Sequence, residues 1–139
     1  MTKMKKIKIE ITIGEFMDRI TIFELKASKY AKYNDDEKSK LLEKMHTDNQ
    51  ARLGSLMKDM DVIGQKYLLQ KYNQLMLIHT RLWALEDIVR LKTVSYDPGA
   101  YKQNTQEIFA LNEGRSKVKA EINTVFDQEP VEFRMHEEE

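Results

Sequence analysis

The chain has 139 residues, 41% hydrophobic and 33% charged, with 23 basic side chains balanced by 23 acidic ones. A single compact domain of this length buries roughly two-thirds of the surface its unfolded chain exposes, so disorder throughout is excluded. The lack of cysteine excludes a disulfide framework, a thiolate zinc site and a cysteine nucleophile. Zero net charge removes any global field for nucleic acid or an anionic membrane, and neither is expected as a partner.

Residues 6–13 alternate β-branched and polar side chains, the period of a half-buried strand. The basic start, Met1 to Lys6, resembles a signal n-region, but an alternating segment is no apolar signal core. The apolar runs are too short to span a bilayer. The expected location is the cytosol.

Thr12 followed by Glu15 fits a capping box that opens a helix at about 14–33, with Ile13, Phe16, Ile20, Phe23, Ala27 and Tyr30 as its apolar stripe. Asn34-Asp35-Asp36 stops that helix and starts a second, at about 36–60, whose stripe is Leu42, Met45, Leu53, Leu56 and Met60. Asn49 interrupts the stripe, and Gly54 costs roughly 1 kcal/mol against Ala. Around Asp61 to Gly64 the break is weak, and one bent helix remains an alternative. The third helix, about 65–94, carries Leu68, Leu75, Ile78, Leu82, Leu85 and Val89 in near-heptad spacing.

Asp97-Pro98-Gly99 is the strongest punctuation in the chain. The fourth helix, about 100–126, has Tyr101, Ile108, Leu111, Val118, Ile122 and Val125 on its stripe, with Asn104 and Arg115 interrupting it. Val131, Phe133 and Met135 then alternate with Glu132 and Arg134. The expected fold is therefore all-α, a bundle of about four mostly antiparallel helices with a short N-terminal strand and a second strand at the C-terminus. One domain fills residues 1–139, with loose ends at 1–5 and 136–139.

An isolated strand is unstable, so the first must pair. One arrangement sets it parallel to residues 131–135, with Lys8 opposite Glu132 and Glu10 opposite Arg134. The other pairs it with a second copy of the chain.

The usual chemical constellations are missing. A bundle di-metal site needs two Glu-x-x-His motifs, and only Glu43-Lys44-Met45-His46 matches. Glu15 and Asp18 form half of the paired acidic motif of helical pyrophosphohydrolases, without its second half. There is no phosphate loop, hydrolase triad or dinucleotide fingerprint. No metal, cofactor or catalytic residue is expected, and Trp83 reads as a core anchor.

Three blocks do carry a resemblance. They are Gly14-Glu15-Phe16-Met17-Asp18-Arg19-Ile20-Thr21-Ile22 continuing to Lys26, Leu82-Trp83-Ala84-Leu85-Glu86-Asp87-Ile88-Val89-Arg90, and Leu111-Asn112 through Arg115 and Lys119 to Ile122-Asn123. In order and spacing they resemble a bacterial family of small helical proteins of unassigned function. Arg19 stands where that family has Lys and Glu113 where it has Asp, and the family's basic-aromatic ending is absent. The resemblance implies a setting near glycosyltransferases of surface-polysaccharide loci and transfers no catalytic residue.

Carried over position by position, it marks a polar cluster: Glu15, Asp18, Lys26, Glu86, Asp87, Arg90, Asn112, Arg115 and Lys119. A bridge from Arg115 to Asp18 or Glu86 would explain why an arginine interrupts an apolar stripe. Two roles follow. In the first the cluster is a sealed network fixing helix register inside a non-catalytic interaction or scaffold module, expected to be a homodimer. In the second it lines an open pocket that binds or processes an anionic metabolite, such as a sugar phosphate or nucleotide sugar. Solvent exposure separates them. If the network is structural, Arg115→Met is expected to be tolerated far better than Asp18→Ala.

Overall fold

A computed structural model describes residues 4–32, 36–91, 98–126 and 131–138. In chain order these form β1 (Met4–Ile11), α1 (Ile13–Lys32), α2 (Asp36–Lys58), α3 (Val62–Leu91), α4 (Pro98–Val125) and β2 (Val131–Glu138). The fold is all-α, four packed helices with a two-stranded ribbon at one end. Asn34, Asp35 and Asp97, read as breaks, lie outside the described residues.

Local chemistry sets the helix ends. At the start of α1 the Thr12 hydroxyl accepts the Glu15 backbone N–H at 3.2 Å, half of the capping box. The Glu15 carboxylate turns instead to Arg19 and Lys119. The doubtful break between α2 and α3 is real: Asp61 Oδ1 accepts the Gly64 N–H at 2.7 Å, capping α3. Gln65 Nε2 donates to the Met57 carbonyl at 2.9 Å, satisfying the frayed end of α2. Pro98 opens α4, where its missing N–H costs nothing.

Helix α1 is the axis of the fold, packing against α2, α3 and α4, while α3 and α4 also pack on each other. Its buried set is accordingly broader than the single stripe expected. Ile13, Phe16 and Ile20 are buried, but so are Met17, Asp18, Thr21 and Leu25. A helix with neighbours on three sides must cover more than one face. Leu53 of α2, Leu68 and Leu75 of α3, and Val118 and Ile122 of α4 complete the core. The stripe of α4 overreaches at both ends, since Tyr101 and Val125 are exposed.

The ribbon corrects the expected strand direction. The strands pair within the chain, but antiparallel, with Ile11 opposite Val131, Ile9 opposite Phe133 and Ile7 opposite Met135. Lys8 meets Arg134 and Glu10 meets Glu132, so the charge-complementary parallel register is not formed. The reason is connectivity. The chain enters α1 and leaves α4 at the same end of the bundle, where Gly14 touches Asn123, so incoming and outgoing strands must run oppositely. Pairing reaches Met4 and Glu138, into both segments expected to be loose.

Candidate functional site

The site grows from one sealed carboxylate. Asp18 lies on the crowded side of α1 and is 0% exposed. Its Oδ1 accepts Arg115 Nε at 2.8 Å and His79 Nε2 at 2.7 Å, while its Oδ2 accepts Arg115 Nη2 at 2.6 Å. This is a two-bond fork from α4 plus a third donor from α3, so one side chain ties three helices together. An ionised carboxylate only accepts, so His79 Nε2 carries the proton of that bond. Lys119 Nζ stands 3.9 Å from Oδ2 and pairs more closely with Glu15, which also holds Arg19 Nε at 2.9 Å.

Burial pushes the Asp18 carboxyl up, but the His79 and Arg115 hydrogen bonds and the Arg115 charge beside it outweigh it, holding the group below its ordinary value. For Glu15, burial likewise raises and the Lys119 and Arg19 bonds lower, with a net downward result. The Asp18 bond, against some desolvation, raises Arg115 above an ordinary guanidinium.

The α1–α4 seam beside this network is close. The Asn123 amide oxygen accepts the Gly14 N–H at 2.8 Å, and its amide nitrogen donates to Thr12 Oγ1 at 3.3 Å. A Cβ on Gly14 would collide with the Lys119 carbonyl and stand 2.9 Å from Asn123 Oδ1, so only glycine fits.

Arg115 has a second face. Its side chain is 30% exposed and lines a cavity of about 170 Å³ that opens to solvent among α1, α3 and α4. Lys26, Glu86 and Asn112 converge there with Trp83 over a floor that includes Leu25 and Leu82. Among the described residues, the side chains of Lys26, Glu86 and Asn112 have no hydrogen bond or ion pair. The expected cluster therefore divides: Glu15, Asp18 and Lys119 hold the helices, Lys26, Glu86 and Asn112 line the cavity, and Arg115 belongs to both. Asp87 is half-buried on α3 and does not line the cavity. The Arg90 side chain lies outside the described residues.

This division argues for the opposite order of the two substitutions. The sealed partner is the carboxylate, and the arginine reaches water. Removing Arg115 leaves the sealed charge with His79 and the more distant Lys119, whereas removing Asp18 leaves a cation that solvent can reach and a buried His79 N–H without its acceptor.

Two lining residues that carry a polar group, His79 and Trp83, lie outside the cluster expected from the sequence. His79 is buried and polar on the Leu75–Leu82 stripe, at 4-3 spacing, the same anomaly that marked Arg115. Trp83 is half-buried at the cavity wall and not a sealed anchor. Among the described residues no group of His, Asp and Glu is placed to hold a metal ion, and no helix is long and apolar enough to cross a membrane. Compared with family models, curated proteins and solved structures, the chain matches none.

Proposed function

We propose that the domain is a binding module for a small anionic metabolite, held by its phosphoryl or carboxylate head in the α1–α3–α4 cavity. The observation that carries this reading is an unpaired Lys26 beside the outward face of Arg115, in a cavity open to water. Asp18 and, across the cavity, Glu86 act on the arginine charge, so Lys26 supplies the further cation an anionic head group would meet. Asn112 offers an amide, Glu86 an acceptor for a hydroxyl or amine, and Trp83 an apolar wall. All the lining residues except His79 fall within the three blocks that carry the family resemblance.

Size limits the ligand. A cavity of about 170 Å³ equals some six waters at ~30 Å³ each, below the ~300–1,000 Å³ of whole-ligand pockets. It admits a head group and a few carbons, leaving any nucleoside outside.

A thermal-shift series with inorganic phosphate, sugar phosphates and short dicarboxylates tests this. A ligand at 100 times its Kd adds about 2.7 kcal/mol, several degrees for a domain of this size. Lys26→Met should abolish the shift and leave the unliganded Tm unchanged. A flat response at millimolar ligand, or an equal shift in Lys26→Met, would sink the proposal. The interaction-module reading draws on different residues, the exposed Val62, Ile63, Leu77 and Phe109.

A further inference from the structure

We infer that two copies of this chain associate through the outer edge of β1, antiparallel about a two-fold axis at Ile9, joining two ribbons into a four-stranded sheet. Three observations lead there. First, β1 is paired on one edge only. Its described neighbour is β2, which in turn lies against α2 and α1, and among the described residues β1 meets the helical core at its last residue, Ile11. That leaves a row of unpaired backbone donors and acceptors up to eight residues long. Second, two strands alone make a marginal sheet, and a four-stranded one is the usual stable size.

Third, the observed register sets like charges directly opposite each other, and a second copy can set opposite charges against them. Along the ribbon Lys8 is opposite Arg134 and Glu10 opposite Glu132, a doubled cation next to a doubled anion. Like charges directly opposite oppose pairing. With Ile9 across from Ile9 of a second copy, Lys8 of each chain falls opposite Glu10 of the other. Each row then reads Arg134, Lys8, Glu10, Glu132 across the four strands, two positive positions meeting two negative ones. Ile7 falls opposite Ile11, so apolar positions also match apolar ones. A two-fold at Lys8 would instead align four cations in one row. The occupant of this edge is thus a copy of the same chain in one defined register.

Sedimentation equilibrium of the wild type and three variants tests the inference. The wild type should dimerise with concentration. Lys8→Glu and Glu10→Lys should each weaken the dimer about tenfold or more, because each sets like charges face to face between chains. The double variant K8E/E10K should restore it. Lys8→Glu also separates this from damage to the ribbon: opposite Arg134 it improves the pairing within the chain, so its Tm should not fall while its dimer weakens.

The chain has no cysteine, which allows a second readout. Ile9→Cys should cross-link on mild oxidation, since directly opposed residues lie ~4.5–5.5 Å apart, within disulfide reach. Ile7→Cys should not. A wild type monomeric at hundreds of micromolar, single reversals without effect, a double variant that fails to recover, or cross-linking at position 7 instead of 9 would each overturn the proposal.

Discussion

Helices α4 and α2 both pack on α1, and they do so by different means. The α4 side is polar and close: a fork from Arg115 to Asp18, a bond from Gly14 to Asn123, and a seam where a Cβ has no room. Helix α2 contributes Met45 and Leu53 to the buried apolar set with one buried amide, Asn49, and its Gly54 is exposed, with nothing within 4 Å of a Cβ there. The side-chain atoms buried without a hydrogen bond among the described residues are Glu24 Oε2 on α1 and His46 Nδ1 on α2. Apolar packing tolerates small displacements, whereas directional bonds on a buried charge do not. The comparison teaches that α4 is fixed on α1 by a buried charge, while α2 relies chiefly on burial.

Substitutions can break that contrast, beginning with the sealed carboxylate. Arg115→Met should destabilise the fold by about 3 kcal/mol, near the lower end for breaking a buried pair, and by more than Asp18→Ala. Urea denaturation of both variants checks the order, and a larger loss in Asp18→Ala would show that the arginine is the harder group to strand. Gly14→Ala should cost about 2 kcal/mol, because a backbone carbonyl must move to admit the methyl group.

Acid should act on the same seam. Asp18 and Glu15 have folded pKa values below their ordinary ones, so their stabilisation is fully present above the unfolded values of about 3.9 and 4.3. It is lost as pH falls through the depressed folded values, below about pH 4. Tm measured from pH 7 to pH 2 should drop in that range, and Asp18→Asn should flatten part of the drop. The smallest effect is expected at Gly54, where Ala meets open space and should stabilise by about 0.5–1 kcal/mol. Gly14→Ala and Gly54→Ala thus have opposite signs, because Gly14 sits in the α1–α4 seam and Gly54 on the exposed side of α2.

Much of this architecture is legible in the residues themselves. The 3-4 spacing of apolar side chains, Thr12 at one cap and Pro98 at another place the four helices within a few residues of their observed ends. Arg115 on an apolar stripe announces its partner, because a guanidinium there needs a carboxylate. His79 carries the same signal in weaker form, since a lone histidine on a stripe does not reveal whether a charge faces it. Trp83 is a similar case: its spacing fixes an angle on α3 without saying that the neighbouring helices leave a cavity there.

Periodicity is a property of one element, and it settles which residues form helices and strands and where those elements stop. What lies across from each element depends on how far the neighbouring helices approach and from which side. Tertiary structure alone made α1 the central helix, sealed Asp18 while leaving Arg115 wet, and set the two strands antiparallel. Each of those outcomes depends on residues about 60 to 130 positions apart meeting in space, a distance no local pattern spans.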